Sequence, residues 1–260
     1  MLDRPGLTKI EAELYALTHR GQRGDAEFYA GQCARVGRVL ELGTGYGRLL
    51  GPLSATAELV GLDRDPELLA AARRQMRGPL RGQGRRVRLV EGDFTSFQLP
   101  GTFDRIVMPY NALYCLLGRR ALLRCFQRVR AHLAEGGQFL FDVWSADGFQ
   151  RSTRRASRRA GHRDDDAAIV SLHHRGQVWD VFEHSRLRSA RQRLDVLYTY
   201  VPRSGGAPID IRIEQRYAPW AEIAALLAQA GLQVSARYGG FARERWSPHS
   251  DQLVVIAEGR

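Results

Sequence analysis

Three glycines two residues apart, Gly43, Gly45 and Gly47, stand directly after an apolar run and offer backbone chemistry rather than side-chain chemistry. A glycine loop at the end of a buried strand lets main-chain N–H groups approach a ligand closely and opens a helix beside it. The spacing here, Gly43-Thr44-Gly45-Tyr46-Gly47, is GxGxG, not the GxGxxG that seats a pyrophosphate on a helix N-terminus. The tighter turn suits an amino-acid tail joined to a nucleoside. Two carboxylates extend that reading. Asp63 ends a second apolar run, where it can accept both hydroxyls of a ribose. Asp93, in Glu91-Gly92-Asp93-Phe94, ends a third, where it can accept from an adenine amino group while the Phe94 peptide meets the ring. Each aspartate alone is an ordinary cap or turn residue. Together, at the ends of consecutive strands, they follow the crevice where parallel sheets bind ligands.

The surrounding pattern supplies those strands. Apolar runs at 36–41, 58–63, 86–91, 103–108 and 138–144 alternate with amphipathic stretches at 49–56, 67–77 and 119–134. Asp65-Pro66 is a helix start, cap then first-turn proline, and Gly136-Gly137 reads as the stop of the helix before the fifth strand. Strands alternating with helices predict an α/β fold, a doubly wound, mostly parallel, Rossmann-like sheet. Upstream, 7–35 has helical periodicity with Ile10, Leu14 and Leu17 on one face, broken at Gly21-Gln22-Arg23-Gly24. Downstream the period changes. A charge run at 150–166 precedes strand-like segments at 169–174, 178–187, 194–201 and 209–217, whose turns carry Arg175-Gly176 and Ser204-Gly205-Gly206, the mark of antiparallel hairpins. A helix from Pro219-Trp220 to about Ala230 and strands at 232–238 and 253–257 close the chain. The expected organisation is an N-terminal helical cover (1–35), a cofactor core (36–148), an antiparallel β insert after strand five covering the substrate (149–218), and C-terminal elements completing the core (219–260).

From about Val36 to Trp144 the chain resembles the class I S-adenosylmethionine-dependent methyltransferases. The resemblance rests on Val39-Leu40-Glu41-Leu42-Gly43-Thr44-Gly45-Tyr46-Gly47, Val60-Gly61-Leu62-Asp63-Arg64-Asp65-Pro66, Glu91-Gly92-Asp93-Phe94, Phe103-Asp104-Arg105-Ile106-Val107-Met108-Pro109-Tyr110-Asn111 and Leu133-Ala134-Glu135-Gly136-Gly137, in the family's order. It implies that Glu41, Gly43, Thr44, Gly45 and Gly47 face the methionine moiety, Asp63 and Arg64 the ribose, Asp93 and Phe94 the adenine, and Met108 the region of the methyl group. The remainder is similar to the small-amine N-methyltransferases of glycine, sarcosine and amino sugars, which implies an antiparallel cover and an N-terminal aromatic over the cofactor, for which Tyr15 is the candidate.

A sulfonium already activates its methyl group, so the protein's task is alignment, and a neutral amine acceptor needs no base. Hence no triad is required, and catalytic residues are unassigned beyond Tyr110 and Asn111, which border the reacting centre; Tyr114 and Trp144 join them as candidate substrate contacts. His173, His174 and His184 of the insert are weaker candidates for a base, surface histidines being the plainer reading. Met108-Pro109-Tyr110-Asn111 has neither the order nor the spacing of the Asn-Pro-Pro-Tyr motif of nucleic-acid amino methyltransferases, and Cys115 and Cys125 read as core residues. The net charge of +11 is carried by arginine, Lys9 being the only lysine, so it argues weakly for a nucleic-acid partner. No metal-ligand spacing, signal peptide or membrane span is evident, and a cytoplasmic location is expected. The expected partner is a small molecule, not nucleic acid or membrane, with a homodimer as the oligomer considered. The expected function is N-methylation of a small amine. Alternatives are O-methylation of a small natural product, an RNA or protein methyltransferase docking through the arginine-rich segment 151–163, and a cofactor-binding scaffold without turnover.

Overall fold

The computed structural model describes residues 6–54, 58–78, 80, 86–148 and 167–260. Two sheets are present among the described residues. The larger has seven strands in the order β10-β11-β5-β4-β1-β2-β3. β1 (Arg38–Leu42), β2 (Glu58–Asp63), β3 (Val87–Glu91), β4 (Phe103–Met108) and β5 (Leu133–Trp144) run parallel, while β11 (Gln252–Gly259) pairs antiparallel with both β5 and β10 (Leu232–Tyr238). Both faces of the sheet are buried, which is why β1, β2 and β4 are near-continuous apolar runs. Sequence periodicity and structure agree on this Rossmann-like arrangement.

Helices cover the two faces. On one side Leu40, Leu62, Phe139 and Phe141 pack with α5 (Arg119–His132) and α6 (Trp220–Gln229) through Phe126, Val129, Ile223 and Leu227. On the other, Val39, Leu59, Leu140 and Val254 meet Phe28, Tyr29 and Cys33 of α2 (Asp25–Cys33) and Leu50 and Leu53 of α3 (Leu50–Ser54). α4 (Pro66–Arg77) starts as the sequence predicts, with Asp65 accepting from the Glu67 and Leu68 amides. That carboxylate also accepts from the Leu7 amide at 2.8 Å, tying the N-terminal segment to the helix.

The end of α5 departs from expectation. The helix stops at His132, not at Gly136-Gly137, because Leu133 is already extended and pairs with Phe103. Residues 134–137 are a register shift in the β4–β5 ladder, where Gly136 takes a left-handed φ of +69° and a Cβ on Gly137 would meet the carbonyls of Ala134 and Phe103.

The second sheet is antiparallel, β6 (Val170–His174), β7 (Gln177–Arg188), β8 (Arg193–Pro202) and β9 (Ile209–Arg216) in sequential order, as the hairpin signals predict. Its inner face, Leu172, Trp179, Val181, Tyr200 and Ile211, buries Leu14 of α1 (Lys9–Thr18), with Ile10, Tyr15 and Leu17 around it. α1 therefore packs with the second sheet and α2 with the first. A capping box between Thr8 and Glu11 begins α1. The arginine run at 151–163 lies outside the described residues. Among those described, no helix is long and apolar enough to cross a membrane, and no group of three or more His, Cys, Asp or Glu could hold a metal.

Candidate functional site

The glycine loop leaves the C-terminal end of β1 and lies against the C-terminal end of β2. The Gly43 and Thr44 amides both donate to the Leu62 carbonyl, folding the loop back over the neighbouring strand. Gly43, Gly45 and Gly47 all have positive φ, +80°, +53° and +89°. Gly43 is further constrained by space: a Cβ there would press on Ala112 and the Phe94 ring. At Gly45 a Cβ would meet no described residue within 4 Å, so that peptide is open on its Cβ side. The open peptide is held by Asp63, whose Oδ2 accepts the Gly45 amide at 2.8 Å while Oδ1 accepts the Asp65 amide at 3.0 Å. Burial pushes the Asp63 carboxyl up, and these amide donors oppose the shift. Glu41, 2% exposed, accepts the Thr44 hydroxyl at 2.7 Å, and burial raises its carboxyl to about 7.

Arg48 anchors the loop from behind. Its guanidinium makes two bonds to the buried Asp25, at 2.9 and 2.7 Å, linking the loop to α2, and lies 5.7 Å from the centre of the Tyr110 ring. Sequence reading passed over this pair because two residues 23 apart carry no spacing signal.

After β4 the backbone is bent. Tyr110 and Asn111 both have left-handed φ, 56° and 63°, a conformation that non-glycine residues adopt at a cost and that gathers at functional sites. Their contacts hold them there. The Tyr110 amide donates to Asp142 Oδ1 at 2.9 Å, the Asn111 amide donates to the Asp142 carbonyl, and Asn111 Oδ1 accepts the Trp144 amide at 2.6 Å. Tyr29 also donates to Asp142 Oδ1, at 2.7 Å. Asp142 is fully buried, burial raises its carboxyl to about 6, and its Oδ2 has no partner among the described residues.

Above the loop sits α1. Tyr15 is half-buried beside the inner face of the second sheet; burial pushes its hydroxyl well up, and Cys115, Asp63, Tyr110 and Tyr46 add to the shift. One turn later, on the same face, is His19, which sequence reading did not single out although a spacing of four from Tyr15 was the available signal. The two rings stack at 3.9 Å, and the His19 ring meets Tyr110 and Tyr198 edge-on at 6.3 and 4.9 Å between centroids. Tyr46 of the glycine loop donates to the His19 carbonyl at 3.0 Å. Loop, post-β4 bend and second sheet thus converge on one histidine.

Not every candidate is in the cleft as a ligand contact. Tyr114 is 1% exposed, with its hydroxyl engaged by the Trp144 and Ala218 carbonyls at 3.0 and 3.3 Å; it bolts core elements together rather than lining a substrate pocket. Trp144 packs against Tyr114 and Tyr217 and donates to Gln215 at 3.2 Å. Met108 is fully buried at the end of β4. Asp93 is exposed, and its Oδ1 accepts both the amide and the hydroxyl of Thr95, a local turn, while Phe94 rests against Gly43. Arg64 is exposed beside Cys115, which is exposed rather than the core residue expected; Cys125 is buried. His173 and His184 are exposed, and His174 is bonded to Glu13 at 2.9 Å.

The residues present fit S-adenosylmethionine. Buried acids at the ends of adjacent strands face an open glycine peptide, and the Asp63 carboxylate, with about four acceptor positions, can take ribose hydroxyls besides the amides it holds.

Comparison with known proteins agrees. Residues 39–137 match the family model described as a methyltransferase domain. The chain is 25% identical over 223 residues, 85% of its length and 82% of the relative's, to cypemycin N-terminal methyltransferase from a Streptomyces species. Among solved structures it is similar to the CcbJ methyltransferase from Streptomyces caelestis (24% identity, TM-score 0.73, covering 91% of this chain and 88% of that one). It is also similar to S-adenosylmethionine-bound CalS10, an amino pentose methyltransferase from Micromonospora echinaspora (20% identity, TM-score 0.68, both chains covered in full).

Proposed function

We propose that this chain, an enzyme built on the methyltransferase domain of residues 39–137, uses S-adenosylmethionine to N-methylate an amine on a small molecule or short peptide. The observation that carries the reading is the bond from the Gly45 amide to Asp63, which brings the methionine end and the ribose end of one cleft together. When bound, the cofactor supplies a sulfonium-activated methyl group. The chain's residues do the rest. Glu41 and the open loop peptides hold the amino-acid tail, Asp63 takes the ribose, and the rings of Tyr15, Tyr110 and Tyr198 wall the cleft opposite. Aromatic faces suit an acceptor that becomes an ammonium, since a cation over a ring gains about 0.5–2 kcal/mol. Holding nitrogen and methyl in line contributes up to about 7–11 kcal/mol of the barrier reduction.

Nitrogen is favoured over oxygen by the acidity of the cleft histidine. Burial lowers His19 to about 4, too weak a base to take a hydroxyl proton, whereas a neutral amine attacks without losing one first. The similarity to an enzyme named for a peptide's N-terminus, and to one named for an amino pentose, supports an amine acceptor. The test is to supply the purified enzyme with labelled cofactor and metabolite extract from the source cells and to locate the added methyl by mass fragmentation. Label on nitrogen is the expected result; label on oxygen, or none with cofactor product tightly bound, overturns the acceptor assignment.

A further inference from the structure

We infer that Nε2 of His19 receives an N–H of the acceptor amine, so that methylation proceeds only while the nitrogen still carries a hydrogen. The inference deepens the amine-methyltransferase reading above and rests on it. His19 Nδ1 lies 3.1 Å from the Tyr15 carbonyl, and a carbonyl only accepts, so the Nδ1 position carries the ring proton. Nε2 is therefore a bare lone pair. It is buried, the residue being 7% exposed, and has no hydrogen-bond partner among the described residues. Buried acceptors are normally satisfied, and an orphan among the residues of the candidate site calls for a ligand group that donates.

The groups facing His19 cannot do so in place. Tyr15 stacks flat on the ring from the same helix, Tyr110 and Tyr198 approach edge-on from the β4 end and from β8, and Tyr46 from the glycine loop has its hydroxyl on the His19 carbonyl. No charged side chain bonds the ring among the described residues. The enclosure thus presents a neutral acceptor within aromatic walls, joined through Tyr46 to the glycine loop proposed to hold the sulfonium cofactor. A like charge nearby and burial both favour the uncharged amine, and the low basicity of His19 keeps Nε2 available as an acceptor. One N–H on Nε2 leaves the nitrogen lone pair directed away from the imidazole. The nitrogen pair forms the new N–C bond, the C–S bond breaks with its electrons left on sulfur, and the resulting ammonium gives its proton to water after release. A primary amine can return once, as a secondary amine. A tertiary amine brings no N–H, strands Nε2 again, and is refused, so no quaternary product forms.

The test uses the full chain with its histidines 15N-labelled and S-adenosylhomocysteine bound, and probes with trifluoroethylamine, which is uncharged at neutral pH, and with its N,N-dimethyl counterpart. The expected result is an unprotonated Nε2 on His19 whose resonance moves upfield with the primary amine and not with the tertiary one. His19→Leu should weaken the primary amine roughly tenfold or more, the scale of one stranded buried group. His19→Gln, whose carbonyl restores an acceptor, should recover most of it and keep the preference for N–H, which a purely structural role would not. A protonated Nε2, or equal response to both amines, overturns the inference while leaving the methyltransferase reading intact. Failure of S-adenosylhomocysteine itself to bind would sink both.

Discussion

The two walls of the cleft are finished to different degrees. On the glycine-loop side the chain satisfies itself: Thr44 bonds Glu41, the Gly45 amide bonds Asp63, and Arg48 is locked to Asp25. On the side formed by α1, the post-β4 bend and β8, two buried atoms have no partner among the described residues, His19 Nε2 and, behind Tyr110, Asp142 Oδ2. A wall that is complete without its ligand presents a fixed shape to a cofactor common to many enzymes. A wall with open acceptors is completed only by the molecule it selects. On the proposed function, the difference separates binding that is shared from binding that is particular to this protein.

The sharpest way to break that contrast is Asp63→Ala. It strips the proposed ribose acceptor and frees the Gly45 amide, so affinity for S-adenosylhomocysteine should fall by at least about a hundredfold in calorimetry, two charge-assisted bonds at about 1.5–3 kcal/mol each setting the scale. Unchanged affinity would mean that the loop wall is not the cofactor's. Next comes Glu41. Its carboxyl titrates near 4.5 in the unfolded chain and near 7 when buried. The native state then binds the extra proton, so stability is fully present below about pH 4.5 and declines as pH rises toward 7, by on the order of 3 kcal/mol without cofactor. Glu41→Gln should flatten that slope in urea titrations across this window; an unaltered slope assigns the burden elsewhere. Tyr114→Phe tests the core against the cleft, since its hydroxyl bonds two carbonyls away from the acceptor. It should lower stability by about 1 kcal/mol and leave KM for the acceptor alone. The smallest effect belongs to His184→Ala. Removing an exposed strand side chain should change turnover less than about twofold, as expected for a surface substitution, and a large loss would return the β-sheet histidines to the reaction.

Sequence reading saw the first wall far better than the second. Strands β2 and β4 and the cap at Asp65 follow from local signals, apolar runs and an Asp-Pro start, and the loop chemistry is contiguous in the chain. The start of β5 departs from expectation because two glycines look like a helix stop whether they cap a helix or form a bulge within a strand; the long-range pairing of Leu133 with Phe103 decides. Tyr114 shows a related limit, since an aromatic after a strand end carries no mark of whether it faces core or cleft, and only the fold reveals its burial against the Trp144 and Ala218 carbonyls. His19 acquires its role from Tyr110 and Tyr198, residues 91 and 179 positions away, and nothing local announces that meeting.

One tie has an evolutionary consequence. The Trp220 amide, where the chain returns to the large sheet, donates to Asp147, where it departs, at 2.8 Å. The excursion between them therefore leaves and re-enters through a single doorway. A segment moored in this way can be exchanged or lengthened over evolution without re-registering the strands it interrupts.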